Sequence, residues 1–348
     1  MKLNTKRNIT KARLTPFTAV LLAILILYVA VLFTFLIWGF VSSLANYVDY
    51  KAIKLNTDSL WPKVFRIKNY VDIFEKFSVD IHYGEESVNV IGMYGNSLLY
   101  ALGSCVIKTA VVAITAYACA RFTFKFSKVV YSIVIITMIL PVVGSLPAEI
   151  QMAQFFRLYD SIPGMWVMKA NFLGMYFLVF YAFFSSLPKA YTEAAKIDGA
   201  SNFRIMFRVH LPLAGNLLTS VALIDFVNYW NDYTTPLSFL DNHPTVALGL
   251  LKIINGTNLE LTAVSMKMAA TFMVAIPILI VFIIASSFSS YSVSKSCNLT
   301  STSFIFSKDL CNIFLILNSF SSSFLACRLF IANFFIFRFC SSESSLSI

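Results

Sequence analysis

The stretch EAAKIDGASNFRIMFRVHLP, from Glu193 to Pro212, is a polar, charged segment set between two long apolar runs. Its first part, from Lys189 to Ile197, combines helix formers with the small side chains of Ala190, Ala194 and Ala195. Gly199 then interrupts, as a residue just past a helix C-terminus often does. A second short helix is predicted from Ser201 or Asn202, with Phe203, Met206 and Phe207 at helical spacing. Leu211-Pro212 opens the next apolar run, and proline is tolerated in a first helical turn. The pattern reads as two short surface helices joined by a glycine turn. On the residues alone, a soluble partner could dock on it, or its Phe and Met side chains could dip into lipid as an interfacial helix does.

The rest of the chain supplies the membrane. It has 348 residues, of which 58% are hydrophobic and 13% charged; soluble domains average about 25% charged. Mean hydropathy is +0.75. Many apolar stretches of this kind argue for an all-α polytopic membrane protein, because helices satisfy their own backbone hydrogen bonds in hydrocarbon. Spans are expected over about 17–44, 97–120, 129–146, 165–184, 213–237 and 266–286, each near the length a bilayer requires. Pro141 and Gly144 should kink the third. The first is too long for the apolar region of a signal peptide.

Charge orients these six helices. The net charge of +10 is not pooled in a nucleic-acid-binding patch but sits at the ends of apolar runs. Residues 1–15 carry Lys2, Lys6, Arg7, Lys11 and Arg13 without an acid, and Arg121, Lys125 and Lys128 follow the second span. Lys189, Lys196, Arg204 and Arg208 outnumber Glu193 and Asp198 in the opening segment. By the positive-inside rule these links and both termini are cytoplasmic. Residues 45–95, 147–163 and 238–264 are then external. The expected organisation is a basic N-terminus at 1–15, a six-helix transmembrane domain at 16–287, and an atypical tail at 288–348. That tail lacks Gly, Pro and Trp and holds four of the six cysteines. Its abrupt change in composition reads as a non-native or frame-shifted segment, or else as a poor seventh span near 311–337.

Ionisable and amide side chains inside a span are costly and mark a cavity or a partner. Asp225, Asn228 and Asp232 fall at i, i+3 and i+7 in the fifth span, with Trp230 and Asn231 beside them. This face is expected to line a translocation path, or to bond helix to helix. No phosphate-loop motif (GxxxxGK[ST]) or HExxH motif is present, so neither ATP nor zinc binding is expected of this chain. His82, His210 and His243 are too scattered for a metal or a triad. His210 is expected on the surface of the polar segment. Cys105 and Cys119 are expected to pack in the core, and no disulfide framework, catalytic residue, cofactor or metal is expected.

Glu193-Ala194-Ala195, three residues, Gly199, nine residues, Val209, one residue and Leu211-Pro212 resemble the cytoplasmic coupling loop of ATP-binding-cassette importer permeases. Val209 stands where isoleucine is commoner. Asp198-Gly199-Ala200, Asn96-Ser97-Leu98, Ile162-Pro163 and Trp230-Asn231-Asp232-Tyr233 are similar to the carbohydrate-uptake, maltose-type branch. The resemblance covers about residues 12–287. It implies a multi-pass subunit of the bacterial inner membrane, with no enzymatic activity of its own. Its loop, with Glu193, Ala194, Ala195, Asp198, Gly199, Leu211 and Pro212, would dock on a separate ATPase. It further implies a second permease, two ATPase subunits, an extracytoplasmic solute-binding protein, a sugar or oligosaccharide as cargo, and surrounding membrane lipid. The competing readings are an importer of a non-sugar solute and a polytopic membrane enzyme. The second would need an acidic or histidine cluster at one membrane face.

Overall fold

A computed structural model describes residues 16–45, 65–81, 86–122, 125–140, 144–256 and 263–297. Among the described residues the regular elements are helices and one hairpin. Helix α1 (Pro16–Ser43) is apolar all round and exposed along most of its length, which suits a helix bathed in lipid. Its end is tied down by α2 (Lys68–Lys76). There the buried Asn69 amide donates to the carbonyls of Ser43 (2.9 Å) and Ala45 (3.0 Å), groups a helix end leaves unpaired. Strands β1 (Ser78–Ile81) and β2 (Glu86–Asn89) form an antiparallel hairpin pairing Ser78 with Asn89.

The hairpin feeds α3 (Val90–Arg121), the central helix. Next come α4 (Lys125–Ile139), α5 (Leu146–Phe155), α6 (Ile162–Lys169) and α7 (Met175–Ser186). The 193–212 segment holds α8 (Ala190–Ile197), α9 (Asn202–Ile205), a π-helical turn (Met206–His210) and the single turn α10 (Leu211–Leu213). Then follow α11 (Gly215–Trp230), α12 (Thr234–Phe239), α13 (Val246–Asn255) and α14 (Val264–Cys297). Helix α3 packs against α6, α7 and α11, and α14 packs against α1 and α11.

Among the described residues three helices are long and apolar enough to cross a membrane: Ala19–Ser43, Val90–Arg121 and Val264–Ile284. A fourth exists if Asn202–Leu213 and Gly215–Trp230, bent by 73° at Ala214, count as one span. The other expected spans are shorter or broken. The stretch expected as one helix over 165–184 is α6 and α7, separated by residues 170–174 and by Gly174 at φ 134°. The fifth stops at Trp230 because the Asp232 carboxylate caps a new helix, accepting from the amides of Thr234 and Thr235 at 3.0 Å. Competition of this local kind between a side chain and the ladder ends helices that hydropathy alone would extend. The expected external segment 238–264 contains α13, capped by Thr245. Helix α14 continues past Ser287 to Cys297; the readings of the tail beyond that, and His82, lie outside the described residues.

The core forms two apolar clusters. One gathers Met93, Tyr100, Cys105, Phe226, Tyr229, Trp230 and Met266. The other gathers Val112, Ala116, Tyr117, Cys119, Phe180, Phe184 and Val221. Cys105 and Cys119 are buried free thiols, as expected. Both α3 and α11 run through both clusters. The seam between them falls near residue 108 on α3 and residue 225 on α11.

Candidate functional site

The 193–212 segment folds as its spacing predicts, and its turn explains the glycine. The Ala200 amide donates to the Ala195 carbonyl (2.9 Å) and the Gly199 amide to that of Lys196 (3.0 Å). This is the paired arrangement that closes a helix with a left-handed residue after its cap. Gly199 has φ 73°, a region costly for any residue with a Cβ. Ser201 caps α9, accepting from the Arg204 amide at 3.4 Å. Helix α8 buries no residue. Glu193, Ala194, Asp198, Gly199 and Pro212 are exposed, while Ala195 and Leu211 are half-buried. Two large apolar side chains stand in the open beside the turn, Ile197 at 86% exposure and Phe203 at 75%.

His210 corrects the expectation of a surface residue, because it has no exposed area. Its Nε2 lies 3.1 Å from the Thr192 hydroxyl of α8, and its ring centroid 5.3 Å from that of Tyr117 on α3. Its Nδ1 has no partner among the described residues. Burial, and then the Arg121 guanidinium nearby, hold the imidazole below the ordinary histidine range. The Arg121 side chain donates to the Leu187 carbonyl at 2.9 Å. The exposed α8 is thereby joined to α3 through His210, by a part-buried hydrogen bond at Thr192 and a ring contact at Tyr117. The π-helical turn supplies the extra residue that brings His210 inward, and such turns concentrate at functional sites.

Within the apolar body the structure separates the residues that the sequence grouped on one face. Asp225 is buried and Asn228 is exposed; a step of three residues rotates a helix by about 60° short of a full turn, enough to cross that boundary here. Asp232 lies beyond the helix end and out of phase. Trp230 is buried, donating from its indole to the Val274 carbonyl (3.2 Å). The Asn231 amide bonds back to the Val227 carbonyl at 2.9 Å.

Asp225 finds a partner that the sequence reading passed over. The Lys108 ammonium donates to its Oδ1 at 2.8 Å, linking α3 to α11. The same ammonium lies 5.6 Å from the Tyr176 ring centroid and 5.5 Å from that of Tyr229, within cation–π range. A signal for it existed: Lys108 is the one charged residue between Val90 and Ala120. Asp232 is likewise tied, accepting from the Tyr100 hydroxyl at 2.8 Å, with the Lys169 ammonium 4.0 Å away. Lys169 also donates to the Thr235 hydroxyl at 2.8 Å.

Comparison with known proteins gives the family. The chain is 27% identical over 225 residues to a diacetylchitobiose uptake system permease protein of Streptomyces coelicolor, covering 64% of this chain and 69% of that one. It is 26% identical over 235 residues to a galactooligosaccharides transport system permease protein of Bacillus subtilis, covering 66% and 78%. A bacterial ABC transporter involved in the import of the acidic polysaccharide alginate has a chain of the same fold. Its TM-score is 0.63 at 22% identity, covering 78% of this chain and 95% of that chain. Residues 110–295, more than half of the sequence and including all of the 193–212 segment, match the family of binding-protein-dependent transport system inner membrane components, and the chain belongs to that family.

Proposed function

We propose that this chain is the permease subunit of an ATP-driven importer and translocates a sugar or oligosaccharide. The carbohydrate cargoes named for its relatives carry the choice of solute. Six spans within residues 16–287, both termini cytoplasmic, would place the 193–212 segment on the cytoplasmic side, as its basic excess also requires. The shorter helices α4, α7 and α11 would serve as the third, fourth and fifth spans. Broken helices are tolerated in membranes where neighbouring protein satisfies the freed backbone groups.

In this reading α8 and its turn are the coupling element. Glu193, Ala194, Asp198 and Gly199, with the half-buried Ala195, present a compact surface to an ATPase subunit, with Ile197 and Phe203 as apolar contacts. Leu211 and Pro212 start the return into the membrane. ATP is bound and hydrolysed by two copies of that separate subunit. A second permease completes the pore, and an extracytoplasmic binding protein delivers the solute. Asp225, Asn228, Trp230, Asn231 and Asp232 belong to the helix and cap that border the path. Purification of the assembled complex, reconstitution with its binding protein and measurement of ATP-dependent uptake of mono- and oligosaccharides test the reading. Uptake of at least one sugar is expected. A complex that hydrolyses ATP yet transports only phosphate esters or amines would show that the cargo is assigned wrongly.

A further inference from the structure

We infer that Lys108 and Lys169 are solute-binding residues of the translocation path, donating hydrogen bonds to the hydroxyl oxygens of a polyhydroxylated solute. Asp225 and Asp232 hold their ammonium groups in place. The inference rests on the sugar-import reading above and assigns it residues that the 193–232 region does not contain.

Four observations carry it. First, Lys108 sits at the seam between the two apolar clusters of α3 and α11, where an unneeded charge would be costly. Second, the two members of the pair are not equivalent. The Asp225 side chain is 1% exposed, whereas that of Lys108 is 20% exposed. A carboxylate this deep acts as an anchor, and the reachable group is the ammonium. Third, the ammonium is incompletely used. It carries three N–H donors, and among the described residues only Asp225 accepts one. Asp225 Oδ2 also lacks a donor among the described residues. A pair whose task was only to fasten two helices would be expected to satisfy both sides. Fourth, the arrangement repeats and connects. From Lys108 the contacts run to the Tyr229 ring (5.5 Å), from there to the Tyr100 ring (5.8 Å), and through the Tyr100 hydroxyl to Asp232 (2.8 Å). Lys169, 30% exposed, stands at the end of this run. The run extends from the middle of α3 to the end of α11 remote from the coupling segment.

The chemistry selects the ligand class. Each lysine is already neutralised by an aspartate, so the track has little net field for a bare ion. It offers N–H donors beside the ring of the half-buried Tyr176. Sugars match that surface, with hydroxyl oxygens as acceptors and C–H faces that rest on aromatic rings. Asp225 is a positioning residue in this scheme, because it reaches the solute only through Lys108.

Sugar uptake by the assembled complex in proteoliposomes tests the track, using the double variant Lys108→Met/Asp225→Asn, which removes both buried charges together. The KM for sugar uptake is expected to rise about tenfold or more, the scale of one lost charged hydrogen bond. Two milder variants cover the case in which the double variant does not assemble. Lys108→Arg keeps the ion pair but reshapes the donors, and Lys169→Met removes the second ammonium from a part-exposed position. Each is expected to raise KM severalfold. Wild-type KM in the double variant, or in both milder variants, would overturn the track and leave the pairs as helix fasteners. A wild-type complex that takes up no sugar at all would instead overturn the sugar reading, and with it the ligand class assigned here.

Discussion

His210 is wholly buried in a segment whose other charged residues face water, and its two ring nitrogens are treated unequally. Replacing it with leucine keeps the volume and removes the bond to Thr192. A single net hydrogen bond is worth about 1 kcal/mol, so the complex should still assemble. The joint between α8 and α3 is lost, and sugar transported per ATP hydrolysed should fall severalfold, with His210→Gln restoring part of it. Equal transport stoichiometry in His210→Leu and the wild type would exclude His210 from coupling. The lowered basicity of His210 adds a pH dependence. Between the unfolded value of about 6.5 and the lower folded one, the unfolded chain binds more protons. Stability from this group is therefore intact above about pH 6.5 and lost as pH falls through the folded value. Thermal unfolding of the complex from about pH 7.5 down to about pH 5 should show a larger loss in the wild type than in His210→Gln. At Lys108 the magnitudes are larger. Lys108→Met alone strands the Asp225 carboxylate, and breaking a buried pair from one side costs about 3–5 kcal/mol. A sharply reduced yield of assembled complex is expected, recovered when Asp225→Asn is added.

Among the elements, α8 and the turn after it were the most legible. A run of small helix formers, a glycine at the one position with φ near +73°, and a serine cap two residues on are all local chemistry. Gly199→Pro removes the N–H that bonds to Lys196 and forces φ to about −65°, opposite in sign to the native angle. Membrane insertion should be unaffected, while ATP hydrolysis should continue without sugar uptake; unimpaired uptake by this variant would refute the coupling role. Helix α3 makes a different demand. A Cβ at Gly103 would overlap the Trp166 indole of α6, which itself donates to the Leu99 carbonyl at 3.1 Å. Gly103→Val should cost about 1–3 kcal/mol by overpacking, visible as a lower unfolding temperature of the complex. The interruptions at 170–174 and 231–233 were not legible as helix ends: the first has only Asn171 as a polar residue, and the polar Asn231 and Asp232 of the second read as path-lining residues within a span. They depend on Gly174 reaching a positive φ and on the Asp232 carboxylate capping α12.

For the whole molecule, hydropathy and charge bias together predict six spans, and the described residues present three long apolar helices, with a fourth if the bent pair is one span. The proposed orientation has a direct check. A cysteine placed at the exposed Phe203, with the four tail cysteines changed to serine, should react with a membrane-impermeant maleimide only from the cytoplasmic face. Cys105 and Cys119 are buried and should remain silent. Labelling from outside intact cells would invert the topology. Residue order by itself determined that the chain is a helical membrane protein, that its 193–212 segment is two short helices around a glycine, and to which family it is similar. Those features depend on composition, period and local backbone preference, which act within a few residues. Tertiary structure alone decided that His210 points inward, that Asp225 and Asn228 part company, and that Lys108 meets Asp225 from a residue 117 positions away. Such pairings depend on which helix packs against which. A buried charge finds its counter-ion across that packing, at a sequence separation that no local pattern encodes.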